Sequence, residues 1–379
     1  DLDSDLYVIT NSEVKIRAGG TAQVNTVDIA AGQSLGVSVL GLGTATLEAD
    51  DLVTHGDATV VASATVKAAT WNASNASGTL TKEGNGRLEI GAVQNAGNLS
   101  SLVVDEGVLS LGYSGDQPLG SAVVRMAGGR LVLRSLQGID DIPYGNQIEL
   151  DPGSASTIEL AGIQGAGFKA IFGQLVGANG ATLNVRGSGL GAKLVTTGVD
   201  LVGTTTIDNS IAYQAGVLSD GGTAAVLIKA GGGDMIVQGA GSLVAGTDVE
   251  SRNGRMVGVY DAANPFGAAR LVLRGGQIAL ASADTNNRTF ANPVLSYGGQ
   301  LTAGAQNLPD PVITLTNDVT LSGGITFMRG VEGNTLRLTG SVTGLGAVAV
   351  VQDPGNTVIF DPAAGKATDF AGVLKVTGG

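Results

Sequence analysis

The chain has 379 residues, with 21 Lys and Arg against 33 Asp and Glu, for a net charge of −12. That balance argues against nucleic acid and anionic membrane surfaces as partners, because both require a positive field. Cysteine is absent, which removes a disulfide framework and any thiolate metal site. No stretch approaches the roughly 18 consecutive apolar residues of a membrane helix, so membrane insertion by this segment is not expected. Aromatic residues make up only 4%, so a core must be built from Val, Leu, Ile and Ala.

The chain begins at Asp1 with neither an initiator Met nor a charged-then-apolar leader, and reads as a processed or excised segment. The first candidate for chemistry is Gly32-Gln33-Ser34-Leu35-Gly36, which fits the G-x-S-x-G elbow, followed by Asp50, Asp51 and the single histidine, His55. An elbow needs a strand–turn–helix context. Here the surroundings are glycine-punctuated strand, so a solenoid turn is the expectation and His55 reads as a polar loop residue. Trp71, the only tryptophan, is expected in a core or cap rather than as a sugar platform. Nearby Asn72-Ala73-Ser74, Asn75-Ala76-Ser77 and Asn98-Leu99-Ser100, with Asn287-Arg288-Thr289 further on, fit the glycosylation sequon through composition.

From residue 78 onward the chain copies itself at a fixed offset of 147 residues. Lys82, Gly84, Gly86, Gly107, Tyr113, Pro118, Gly120, Ala122, Gly128, Gly129 and Leu133 fall on Lys229, Gly231, Gly233, Gly254, Tyr260, Pro265, Gly267, Ala269, Gly275, Gly276 and Leu280. The repeat units run near 78–134 and 227–282, and a partial third lies near 347–379, where Val358 and Phe360 take the places of Leu88 and Ile90. Fixed-offset self-similarity marks a stacked architecture. Period-two runs such as Leu102/Val104, Leu131/Leu133, Ile278/Leu280 and Leu336/Leu338, separated by Gly-Gly turns, predict strands throughout.

Leu88, Leu109 and Leu131 are 21 and 22 residues apart, close to one coil of a β-solenoid. With about 22 residues per coil and about 4.8 Å between strands, one continuous solenoid over 1–379 would have roughly 17 coils and span on the order of 80 Å. The stretches Ile139 to Ser156 and Asp284 to Leu308 read as insertions decorating one face. Gly231-Gly232-Gly233-Asp234 comes near a calcium-binding repeat but has the wrong spacing, and Asp50-Asp51 and Asp140-Asp141 are possible oxygen ligands. Neither these nor any other motif calls for a cofactor. Asp105-Glu106 and Asp248/Glu250 are expected to solubilise turns rather than to cleave sugars.

The segment Gly78 to Leu133 resembles the passenger-associated transport repeat of bacterial autotransporters. Its parts are Thr79 to Leu88, Gly107 to Leu109, Leu119-Gly120 and Gly128 to Leu131. The second copy matches more weakly, with Met235 for the strand leucine and Phe266 for the leucine before glycine. Asp318 to Gly346 resembles the segment that commonly lies between such repeats. The resemblance implies a right-handed parallel β-helix secreted across a Gram-negative outer membrane, to the cell surface or beyond. The translocating β-barrel of that family is not in this segment. The expected function is therefore a structural or adhesive module without enzymatic activity. Its partners would be further copies, stacked end to end or along the rod, or a host, cell-surface or carbohydrate ligand. The alternative is a secreted β-helix enzyme that hydrolyses or lyses polysaccharide.

Overall fold

In an alternating run every second side chain faces inward, and inward aliphatics have nowhere to be buried unless a neighbouring strand repeats the pattern. The computed structural model shows how this chain meets that demand. It describes residues 5–73, 77–95, 99–113, 119–135, 141–304, 311–331, 333–351, 355–370 and 374–377. Pro118, Asp140, the sequon residues Ser74, Asn75 and Asn98, and Gly379 lie outside them.

Among the described residues the secondary structure is all strand, and each paired strand lies parallel to its partner about one coil away. The result is a β-solenoid of about 15 turns, divided into two compact units, Asp1–Thr196 and Thr197–Gly379. No helix among the described residues is long and apolar enough to cross a membrane.

In the first unit the interior of one sheet is a column of stacked aliphatics: Leu47, Val66, Leu88, Leu109, Leu131, Ile158 and Val185, each in register with the next and each buried. Every such side chain contributes roughly 1.5–3 kcal/mol by leaving water. The opposite sheet carries the column Leu35, Val60, Lys82, Val104, Met126 and Leu150. A lysine thus occupies an interior place between two valines.

The steps along these columns explain why about 15 turns form rather than roughly 17. Leu109 to Leu131 is 22 residues, but Leu131 to Ile158 and Ile158 to Val185 are 27 each. The stretch from Ile139 to Ser156 is not a decoration where it is described. Asp141–Pro143 and Ile148–Leu150 both pair with Lys169–Val176, so the extra residues lengthen the coil itself.

The second unit has two matching sheets, with interior columns Leu227, Val249, Leu271, Val294, Val319 and Val342 on one side. Met235, Met256, Ile278, Leu301, Met328 and Val350 line the other. A third sheet of four strands joins them: Arg288–Phe290, Val312–Leu315, Thr335–Leu338 and Thr357–Phe360. Its first strand comes from the stretch Asp284 to Leu308, which therefore adds a wall to the coil. Val358 and Phe360 lie in this third sheet, whereas Met235 and Val237 of the second copy lie in the sheet that ends with Leu374–Thr377.

Candidate functional site

The residues repeated at the 147-residue offset form a recurring device inside the solenoid. Lys82 and Lys229 are both fully buried. Their aliphatic stems pack in the interior columns while each ammonium reaches a glycine turn. Lys82 Nζ donates to the carbonyl oxygens of Glu83 (2.7 Å), Gly84 (2.6 Å) and, one coil on, Glu106 (3.2 Å). Lys229 Nζ donates to those of Ala230 (2.7 Å), Gly231 (2.7 Å) and, one coil on, Asn253 (3.0 Å). An ammonium has three protons, and all three are used.

Burial pushes the Lys82 amine down to about 8, against the opposing pull of Glu106, Glu83 and Asp105. Burial likewise takes Lys229 to about 8, opposed by Asp208 and Asp234. Each lysine is a clasp that ties two successive turns together from inside.

The glycines beside the clasp are required by stacking. A Cβ on Gly84, Gly86 or Gly107 would fall on carbonyl oxygens of the preceding turn, and the same holds for Gly231, Gly233 and Gly254. Gly107 and Gly254 also have φ of 64° and 63°, in the left-handed region that side chains disfavour. Gly129 and Gly276 meet the preceding turn as well, and Gly120, Gly128, Gly267 and Gly275 turn the chain at the corners with positive φ.

Two further residues belong to this device, and a strict 147-residue alignment hides them. Asn146 Nδ2 donates to the carbonyls of Gly120 (3.1 Å) and Ala122 (2.7 Å), and Asn292 Nδ2 to those of Gly267 (3.2 Å) and Ala269 (2.7 Å). Both asparagines are buried. Their separation is 146, so one residue is lost between the corner and its clamp. The weaker match of the second copy has a packing reason. Phe266 replaces Leu119, and its ring occupies the space that a side chain on Gly258, the counterpart of Leu111, would need. Volume is conserved by a paired exchange.

A buried carboxylate acts similarly at another corner of the second unit. Asp220 accepts from the Thr247 hydroxyl (2.6 Å) and the backbone N–H groups of Val244 (2.8 Å) and Gly222 (3.1 Å). Burial opposes its charge, but these donors outweigh that and hold the acid below its ordinary value. Its stabilising contribution is therefore complete above the ordinary Asp value of about 3.9 and is lost as pH falls below it. The stability advantage of wild type over Asp220→Asn is expected to be largest near pH 6 and to shrink on acidification, as read by urea midpoints across that range.

The catalytic candidates are not brought together. Ser34 lies in the strand Gln33–Leu40, in register with Thr59, and its N–H donates to Asn11 Oδ1. His55 pairs instead with Asp28 (2.9 Å), and Asp51 accepts from Thr70. Trp71 is fully buried and donates to Thr54 Oγ1 (3.2 Å). Asp248 and Glu250 sit in a strand, not a turn. Asp248 pairs with Arg270 one coil on, and Glu250 with Arg252 and Arg274. Asp234 is likewise met by Arg255 of the next coil. Among the described residues no group of three or more His, Asp or Glu is placed to hold a metal ion.

One outer face of the first unit does form a concave groove. Alternation slips by one residue at Asp50, where Leu47 and Ala49 face inward but the next inward residues are Leu52 and Thr54. The same slip stacks at Ala69, and the bent sheet leaves a groove of about 470 Å³ lined by Gln23, Asn25, Glu48, Asp50, Lys67, Glu89 and Arg134 among others. Glu48 pairs with Lys67 (3.1 Å), and Glu89 with Arg134 (2.7 Å) and Arg87 (3.1 Å). Asp50 has no partner among the described residues.

No protein-family model matches the chain, and no curated protein or solved structure is similar to it.

Proposed function

We propose that this chain is a structural or adhesive module of a surface-exposed, autotransporter-like protein of a Gram-negative bacterium, acting as a rigid scaffold for display, adhesion or assembly with further copies. The observation that carries this reading is the lysine clasp with its turn glycines, present in both units. What the chain repeats is the means of stacking one coil on another, and no acid or nucleophile is repeated with it. The outward charges support the same reading, since Glu48, Asp234, Asp248 and Glu250 face basic residues of a neighbouring coil. The test is antibody labelling of intact source cells together with external protease treatment. Labelling without permeabilisation and release by protease are expected; a signal seen only in permeabilised cells would overturn the reading.

The groove at Glu48, Asp50 and Glu89 favours a second reading, a secreted β-helix enzyme acting on polysaccharide. Three carboxylates line one face there, and acid–base cleavage of a glycan uses a pair of carboxylates. On this reading Asp50→Asn abolishes release of reducing or unsaturated ends from polysaccharide. Equal release by the variant and wild type excludes it.

A further inference from the structure

The second unit also carries a trough, bordered by the clasp glycine Gly254 and by the Asp234–Arg255 ion pair. Its floor is the stack of turn glycines Gly232, Gly254, Gly275, Gly276 and Gly299, and its volume is about 610 Å³. Stacking forces three of these glycines, Gly254, Gly276 and Gly299, to be bare, whereas a Cβ on Gly232 would meet open space. A Cβ on Gly254 would come within 2.9 Å of Lys229 Nζ, one on Gly276 would fall on Ser251 Oγ, and one on Gly299 on the carbonyl of Gly276. A packing requirement inside the solenoid therefore strips side chains from one outer corner.

The wall of the trough is a single register row: Asp234, Arg255, Gln277, Gln300 and Phe327, each paired with the next. Asp234 and Arg255 neutralise each other through two contacts. Gln277 Nε2 is held by Thr302 Oγ1 (3.1 Å), which fixes the amide in place. Phe327 is 42% exposed at the end of the row. Tyr297, also 42% exposed, stands one turn residue before Gly298-Gly299 with the Arg274 guanidinium 4.0 Å over its ring. Among the described residues only Tyr7, Tyr297 and Phe327 are strongly exposed aromatics; Phe327 lines the trough and Tyr297 precedes the turn that ends in its floor glycine Gly299.

We propose that this trough binds a neutral, extended, β-linked polysaccharide. An exposed ring offers a face on which the C–H side of a sugar stacks. The amides of Gln277 and Gln300, on neighbouring coils about 4.8 Å apart, offer donors and acceptors to the hydroxyls of a glycan laid along the row. Charge in the wall cancels, so an ionic ligand gains nothing from Asp234 and Arg255. A peptide strand would need an open sheet edge, and the strands beneath the trough are paired on both sides.

The inference names the ligand class of the adhesive reading and rests on that reading only for its biological setting. It is tested on the purified chain, so a failure of surface display and a failure of glycan binding are separate results. Cellohexaose, xylohexaose and chitohexaose are titrated by calorimetry. At least one binds wild type, Phe327→Ala weakens it by about tenfold or more, and Phe327→Tyr retains it. The double variant Gln277→Ala/Gln300→Ala loses about tenfold, while Lys15→Ala, exposed on the strand Ser12–Arg17 of the first unit and outside both grooves, changes nothing. Circular dichroism checks that each variant keeps its strand content. Failure of all three hexasaccharides to bind overturns the proposal, as does a Phe327→Ala variant that binds like wild type. Capture of an oligopeptide in place of a sugar also overturns it.

Discussion

Lys82→Met is expected to destabilise the first unit by about 3 kcal/mol, because two opposing terms of unequal size are removed together. Burying the ammonium is unfavourable, as its lowering to about 8 records, and methionine relieves that cost. Against this, three hydrogen bonds from a charged donor are lost, each contributing about 1.5–3 kcal/mol, and the carbonyls of Glu83, Gly84 and Glu106 are left without that donor. The hydrogen bonds win. Stacked coils need not unfold in one step, so the sharper readout is hydrogen exchange at residues 83–86 and 105–108. Protection there is expected to fall while residues 230–233 are unchanged, and Lys229→Met is expected to do the reverse. Unaltered exchange in both variants would show that the lysines are passengers in the core.

The pH dependence has a definite direction. Lys82 and Lys229 hold their protons less tightly in the fold than in the unfolded chain, so the unfolded chain binds more protons between about pH 8 and 10.4, and stability rises across that window. Below about pH 8 both states are protonated and the burial cost is fully present. The gap in urea midpoint between wild type and Lys82→Met is therefore expected to widen from pH 7.5 to pH 10. A gap that narrows would mean that the folded chain holds this proton more tightly than the unfolded chain does.

The solenoid was legible because its two determinants are local. Alternation sets which side chains face inward, and glycine marks where the chain must turn beside another turn. Lys82 and Lys229 stood out as repeated residues, but repetition alone does not say that a charged side chain lies inside. That required seeing Val60 and Val104 above and below Lys82 in one column. Asn146 and Asn292 were hidden by a one-residue shift, although both are buried asparagines following a Gly-x-Ala corner. The exchange of Leu111 and Leu119 for Gly258 and Phe266 could not be read from either position alone, since it exists only as a contact across the coil. The two grooves were not legible at all. One depends on a slipped alternation at Asp50 and Ala69, and the other on glycines selected for interior packing.

Gly107→Ala tests the other half of the clasp. Gly107 sits at φ of 64°, where a side chain costs about 1 kcal/mol, and its added Cβ would overlap the carbonyls of Gly86 and Gly84. Those are backbone atoms of the turn stacked beneath it, so neither can rotate away as a flexible side chain would. Overpacking of this kind adds about 1–3 kcal/mol, giving an expected total loss of about 3 kcal/mol in the first unit. The Gly84 carbonyl is also an acceptor for Lys82, so the overlap acts on the clasp itself. Gly107→Ala and Lys82→Met are therefore expected to be less than additive by about 1 kcal/mol or more in a double-mutant cycle. Gly145, also at positive φ of 69° but with open space where its Cβ would go, is the control, and Gly145→Ala is expected to cost only the backbone strain of about 1 kcal/mol. Equal losses at Gly107 and Gly145 would mean that turn conformation alone selects these glycines. A larger loss at Gly107, coupled to Lys82, would mean that the close approach of successive coils selects them.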